Sequence, residues 1–151
     1  MQDRKAPVFV AATSNNVNVL PPELIRKGRF DEIFFVDLPG ANERREIFEI
    51  HLRRRRRDPA GFDTAELGRL AENFSGAEIE QAVVAGLYLA FGDGQELGQS
   101  HLQRAIAETF PLATTMKEDI ARLREWARNR TRPASSLVAG EGSLPLRSRF
   151  T

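Results

Sequence analysis

Two apolar runs in residues 1–40 are typical of strands that are buried on both faces. The first is Val8–Ala12, and the second is Ile33–Val36, which ends at the turn-forming sequence Asp37–Gly40. Runs rich in β-branched and aromatic residues, without polar alternation, favour central strands of a parallel sheet. The short segment Glu23–Lys27 between them could form the crossover that parallel strands need. The pattern therefore predicts two parallel strands of a Rossmann-like sheet.

After residue 40, the apolar positions recur at helical spacing. Asn42 is a candidate N-cap of a helix that carries Ile47, Ile50 and His51 on one face. The same apolar spacing recurs further along the chain, each time after a Ser or Asp residue that could cap a helix. Residues 41–111 are therefore expected to form a helical bundle.

Three more helices are predicted from capping signals and apolar stripes. The sequences Asp63–Glu66 and Ser75–Glu78 both have the form of a capping box, and each precedes an apolar stripe. The segment Ser100–Thr109 is the fourth helix of the bundle, and Pro111 ends it.

The C-terminal part contains one more amphipathic helix and an irregular tail. Apolar residues recur at helical spacing from Met116 to Ala127, with Trp126 beside them, so this helix needs a surface to cover it. Residues 112–133 are expected to contain this helix. Residues 134–151 are rich in Pro, Ser, Gly and Arg without a period, which predicts a disordered or docking tail.

Composition excludes several classes of protein. Of the 151 residues, 41% are hydrophobic, which is enough for a packed core. The net charge of +1 provides no general attraction to nucleic acid, and the absence of cysteine excludes disulfide scaffolds, zinc–cysteine sites and thiol nucleophiles. No apolar stretch is long enough to span a membrane, and no hydrophobic leader follows Met1, so a cytoplasmic location is expected.

Five consecutive arginines, Arg53–Arg57, lie at the predicted end of the first helix. Positive charge is favourable at a helix C-terminus. A solvated helix face is therefore the main interpretation, and contact with nucleic acid or an acidic partner is the alternative.

Polar residues that follow the first predicted strand could contact a phosphate. Asn15 lies beyond the carboxyl end of this strand, where ligands bind in open parallel sheets. Arg26 and Arg29 are one helical turn apart, a spacing that suits clamping a terminal phosphate. Taken singly, each residue could equally belong to a turn or a surface loop.

The order of these elements resembles the second region of homology of AAA ATPases, which are ring-forming, ATP-driven remodelling machines. The sequence Ala11–Asn15 resembles the sensor-1 strand, and Ile25–Asp31 resembles the arginine-finger element. The resemblance implies that Asn15 orients the attacking water. It also implies that Arg26 and Arg29 reach the γ-phosphate of ATP on a neighbouring protomer.

Two further segments extend the resemblance into the helical region. Arg44–His51 and Phe74–Ile79 match family elements, which implies that Ile47 lines the adenine pocket and that His51 lies near the ribose and phosphates. It also implies that Gly76 and Ala77 let a helix N-terminus approach the nucleotide. As alternatives, Ile47 could be a core residue, His51 a satisfied buried histidine and Gly76 part of an ordinary cap.

A closer likeness is to the AAA ATPases that were first named as a chloroplast open reading frame and also occur in cyanobacteria and other bacteria. It rests on five segments: Asn15–Asn16, Arg29–Phe35, Gly76–Ala82, Leu123–Ala127 and Arg132–Ser135. Their physiological role is poorly defined.

The 151 residues contain neither the Gly-x-x-x-x-Gly-Lys-Ser/Thr sequence of a P-loop nor an apolar run ending in Asp-Glu. The chain is therefore expected to be the C-terminal part of an ATPase module: an α/β remnant followed by a mostly helical lid. In the complete protein the resemblance implies ATP and Mg²⁺ as ligands. For this chain alone, neither a cofactor nor micromolar ATP affinity is expected, and no metal ligands are assigned.

The resemblance also implies partners. The complete protein is expected to form a ring, typically a hexamer, with other AAA protomers and to act on a protein client that the sequence does not identify. Neither nucleic acid nor a membrane is expected as a partner. Two alternatives are a short form that lends Arg26 and Arg29 to a full-length neighbour and a non-enzymatic helical interaction module. Dimerisation of the isolated chain through a sheet edge or the tail helix is a further hypothesis.

Overall fold

The computed structural model describes residues 8–14, 16–17 and 30–135. They belong to two units that divide between Ile33 and Phe34. In the first unit, residues 8–14 form no strand, and the Phe9 side chain is 94% exposed. The expectation of a buried strand at Val8–Ala12 is therefore wrong. Such a strand needs hydrogen-bonded neighbours on both edges, and the described residues form no ladder with this segment.

The second unit contains a short parallel pair of strands. Phe34–Phe35 (β1) pairs in parallel with Arg132–Pro133 (β2), and the Ala134 amide donates to the Phe35 carbonyl oxygen at 2.9 Å. The second apolar run, Ile33–Val36, thus contains a strand as predicted, and this strand pairs with the C-terminal segment. The fold class is confirmed as a small parallel α/β element with a mostly helical bundle.

Helices make up most of residues 41–128. None of those in the described part of the chain has the length and apolar composition that a membrane span requires. A 3₁₀ turn, Pro59–Gly61, precedes the second of them. They are α1 (Ala41–Arg54), α2 (Thr64–Leu70), α3 (Gly76–Gly92), α4 (Gln99–Ala107), α5 (Leu112–Thr115) and α6 (Lys117–Arg128).

The start of α1 differs from the prediction that Asn42 caps it. The N-cap is Gly40, whose carbonyl oxygen accepts from the Arg44 amide at 2.8 Å. The Gly40 amide in turn donates to the Glu43 carboxylate at 2.8 Å. Because Glu43 reaches back to this backbone amide, the helix starts at Ala41 and Asn42 lies within its first turn.

The sequence predicts capping boxes for α2 and α3, and the structure has the N-cap of α2 but the full box only at α3. The Asp63 carboxylate accepts from the Glu66 amide at 2.8 Å. Ser75 and Glu78 form a complete capping box, in which each side chain accepts from the other residue's backbone amide. These bonds satisfy amides that a helix start would otherwise leave without a partner.

The core lies between α1, α2, α3 and α4. On α1 the buried face consists of Arg44, Phe48, His51 and Leu52. Ile50 is 45% exposed, so the expectation that it shares one face with His51 is wrong, since successive residues on a helix point about 100° apart. The largest fully buried side chains of the core are, by volume, Phe48, Phe74, Leu52, Leu67, Ile79, Leu102 and Val83.

Helices α1 and α2 cross at a glycine. A Cβ atom at Gly68 would lie 2.8 Å from the Ala41 carbonyl oxygen and 3.0 Å from the Arg45 amide nitrogen. Both neighbours are backbone atoms, so they cannot turn away as a side chain would. Only glycine allows the two helices this separation.

We predict that Gly68→Ala lowers the free energy of unfolding by about 1–3 kcal/mol, because the added methyl group must push two backbones apart. Urea denaturation would measure it. The matched control is Gly92→Ala at the end of α3, where a Cβ atom meets nothing within 4 Å and helix propensity favours alanine by up to about 1 kcal/mol. Equal stability of Gly68→Ala and the unchanged chain would contradict the close crossing.

Candidate functional site

A cavity of about 600 Å³ opens between α1, the start of α3, the loop after β1 and α6. Most of its wall is apolar. The lining residues are Phe35, Val36, Asp37, Leu38, Pro39, Glu43, Glu46, Ile47, Ile50, Ser75, Gly76, Ile120, Leu123, Ala134 and Ser135.

Two residues that the family resemblance assigns to a nucleotide meet in this wall. Ile47 comes from α1 and Gly76 from the first position of α3. A Cβ atom at Gly76 would lie 3.8 Å from the Ile47 Cδ1 atom, so the two helices approach each other here at ordinary van der Waals distance. The capping box of Ser75 holds the start of α3 at this point.

His51 lies elsewhere. Its side chain is buried, with Nδ1 at 3.5 Å from the Glu80 carboxylate and 3.4 Å from the Arg55 guanidinium. Burial lowers the pKa of His51, the Glu80 carboxylate opposes this, and Arg55 and Arg54 add to the lowering. His51 is therefore neutral at pH 7, joins α1 to α3 and does not line the cavity.

The other residues that the family resemblance assigns to the nucleotide are not among the described lining residues of the cavity. Ala77 is exposed and is not among the lining residues. Asn15, Arg26 and Arg29 lie outside the described residues. Their assignment therefore depends on the sequence alone.

Carboxylates lie in the wall of the cavity, whereas no lysine or arginine is among its described lining residues. They belong to Asp37, Glu43 and Glu46. The pKa of Glu43 is lowered by the hydrogen bond from the Ser135 hydroxyl and then by that from the Gly40 amide, while burial opposes both. At neutral pH the Glu43 carboxylate is therefore negative, which disfavours a phosphate group beside it.

The C-terminal segment closes another side of the cavity. Ile120 and Leu123 of α6 are lining residues. The Arg124 guanidinium donates to the Asp37 carboxylate from Nε at 2.8 Å and from Nη2 at 2.9 Å, and this hydrogen bonding raises the pKa of Arg124. Sequence reasoning did not assign these residues to a site. The sequence pointed to them only through the apolar stripe of the last helix. That stripe needs a surface to cover it, but the sequence does not identify this surface.

The arginine run is largely engaged in ion pairs with carboxylates of the same unit. Alternate members of the run make these pairs, which favours the solvated-face interpretation, because pairing leaves less free positive charge for another partner. The pairs are Arg53–Glu49, Arg55–Glu80 and Arg57–Glu96.

Comparisons with known proteins reveal relatives along most of the chain. No protein-family model matches it. It is 48% identical over 128 residues to the uncharacterised AAA domain-containing protein ycf46 of Pyropia yezoensis, an alignment that covers 84% of this chain and 26% of the relative. It is 42% identical over 128 residues to the protein of that name in Guillardia theta, which covers 84% and 25%.

A more distant relative carries a different name. A proteasome-activating nucleotidase of Saccharolobus islandicus is 39% identical over 88 residues, which covers 58% of this chain and 22% of that protein. The chain therefore spans about a quarter of the length of the curated relatives that it matches.

We predict that Arg124→Ala weakens the docking of the C-terminal segment on the bundle. The docking free energy should fall by up to about 1 kcal/mol, the usual limit for a partly exposed ion pair. Exchange of the Ala134 amide hydrogen, which is bonded to Phe35, should become about fivefold faster. The control is Arg122→Ala, since Arg122 pairs with Asp119 inside α6. Equal exchange rates in both variants would mean that the Asp37 contact does not hold the segment.

Proposed function

Since this chain belongs to the AAA ATPase family, we propose that it forms the sensor, arginine-finger and lid part of an ATP-hydrolysing assembly that remodels proteins. The cavity between α1, α3 and α6 would take the adenosine end of the nucleotide. The activity belongs to the larger protein, and this chain alone is not expected to bind micromolar ATP or to hydrolyse it.

The observation that carries the proposal is the meeting of Ile47 and Gly76 in one cavity wall. The family resemblance assigns both to the nucleotide, and they come from different helices. The cavity, at about 600 Å³, falls in the range of small-molecule sites, which are mostly apolar with a few polar groups. A planar purine suits such a wall, because one face can lie on the Ile47 side chain and the other can face the opposite wall.

The charges of the wall support one orientation of the nucleotide. The carboxylates of Glu43 and Glu46 can accept hydrogen bonds from an amino group or from ribose hydroxyls, but they repel phosphates, whereas Asp37 is already paired with Arg124. The described wall fits the base and the sugar. Because carboxylates repel phosphates, the triphosphate, with the Mg²⁺ that accompanies it, would be held outside this cavity. His51 is engaged with Glu80 and Arg55, so the role near the phosphates that the family assigns to it would need a rearrangement.

The residues outside the cavity complete the proposal. Asn15 would orient the attacking water, and Arg26 and Arg29 would stabilise negative charge on the γ-phosphate of the adjacent protomer's ATP. Because the family resemblance places these fingers on a neighbouring subunit, the proposed assembly is a ring, expected to be a hexamer. Hydrolysis would move the helical lid relative to the sheet and transmit force to a protein client.

We predict that the arginine fingers are needed for turnover. Residues 8–135 would replace the matching segment of the complete Pyropia yezoensis relative, and the ATP turnover of this chimera would give the reference rate. Arg26→Ala or Arg29→Ala in this chimera should lower turnover on the order of 10³-fold. The matched control is Lys27→Ala, which removes a positive charge between the two arginines and should change the rate less than about twofold. A chimera whose rate survives both arginine changes would contradict the assignment.

We further predict weak adenosine binding to the 151-residue chain, with a millimolar dissociation constant, because the phosphate contacts are missing. Methyl NMR should reveal a saturable shift of the Ile47 Cδ1 signal, and 1H–15N NMR should reveal one of the Gly76 amide. The buried Ile106 methyl in the core should stay unchanged. Ribose alone, which lacks the base, should shift none of them. If adenosine shifted neither Ile47 nor Gly76 at millimolar concentration, the cavity would not be the adenine site.

A further inference from the structure

The C-terminal helix α6 contributes apolar side chains to the cavity that the helical bundle forms on its other side. Ile120 and Leu123 lie one helical turn apart, so both belong to the same face of α6. Both line the cavity that Ile47 and Gly76 line from α1 and α3. The cavity is thus lined by apolar side chains from two separate parts of the chain.

Polar contacts at the rim of the cavity hold this segment in place. Arg124 binds Asp37 before α1 begins, and the Ser135 hydroxyl donates to the Glu43 carboxylate in the first turn of α1. Between these two contacts, β2 pairs with β1. The rim is therefore closed by hydrogen bonds and ion pairs, and the apolar side chains of α6 remain for the interior.

The packing of α6 leaves room for a ligand. Of its residues, only Ala127 is buried, whereas Ile120 and Leu123 keep part of their surface exposed to the cavity. Apolar surface on both walls favours a flat, apolar ring between them, and the nearby carboxylates favour hydrogen-bond donors over anions. A nucleobase with its ribose has both properties.

We propose that α6 is a wall of the adenosine site, in which Ile120 and Leu123 contact the base opposite Ile47 and Gly76. This inference rests on the proposed function of the cavity. A base between the walls buries apolar surface of α6, so binding stabilises the docked C-terminal segment. Because such coupling is reciprocal, loss of docking weakens binding by the same factor.

The test follows adenosine binding to the 151-residue chain at the methyl groups of both walls. The ring current of the base should shift the Ile120 and Leu123 methyl signals with the same dissociation constant as the Ile47 signal. Exchange of the Ala134 amide hydrogen, bonded to Phe35, should slow as adenosine saturates the cavity. These two readouts separate contact with the base from the docking of the segment.

Variants of α6 then test the size of the contact. Leu123→Ala should weaken adenosine binding about fivefold, since it removes apolar contact from one wall. Leu123→Met keeps the apolar volume and should restore binding to within about twofold. The control on the same helix is Glu125→Ala, because Glu125 is exposed, pairs with Arg128 within the helix and does not line the cavity. It should leave the dissociation constant unchanged.

The outcomes separate this inference from the proposed function. If adenosine shifts the Ile47 signal but leaves Ile120 and Leu123 unchanged, α6 is not a wall of the site, and the adenine assignment of α1 and α3 stands. Full affinity of Leu123→Ala would overturn the inference in the same way. If adenosine shifts neither wall, both proposals fall.

Discussion

The buried guanidinium of Arg44 connects three parts of the chain that the cavity depends on. Its Nε donates to the Gly68 carbonyl oxygen at the end of α2, and its Nη1 donates to the Pro39 carbonyl oxygen in the loop after β1, both at 2.7 Å. Burial lowers the pKa of Arg44, and the charge of Glu72 opposes this, yet an arginine remains charged under all ordinary conditions. Hydrogen bonds to a charged group are worth about 1.5–3 kcal/mol each, which offsets the cost of burying the charge.

This contact positions the loop that carries Asp37. Since Arg44 fixes the Pro39 end of the loop against α1 and α2, Asp37 is presented at a defined place on the rim of the cavity, where Arg124 binds it. The C-terminal segment thus docks on a loop that a buried arginine of the bundle holds. The shape of the cavity therefore depends on the core of the bundle, although most of the cavity wall is partly exposed.

Helix α1 contributes neighbouring residues to both the core and the cavity wall. Phe48 and Leu52 are fully buried between the helices of the bundle, whereas Ile47 and Ile50 line the cavity. Burial of each core side chain contributes about 1.5–3 kcal/mol, which holds the backbone of the neighbouring residues in place. The cavity-lining residues of this helix need little further support, because the packing of its core face also fixes the orientation of its cavity face.

Local sequence predicted most of the helices in the described part of this protein, although Gly40 rather than Asn42 caps α1. The apolar spacing and the caps at Asp63 and Ser75 predicted α2 and α3, because hydrogen bonds within three residues decide where such helices begin. The family resemblance assigns Ile47 and Gly76 to a nucleotide, and the structure brings both into the wall of one cavity. The long-range pairings were beyond local sequence: β2 binds β1, and Arg124 binds Asp37 across 87 positions. Nothing near either partner specifies the other, since a strand edge or a carboxylate accepts many partners, and the packed fold selects the one within reach.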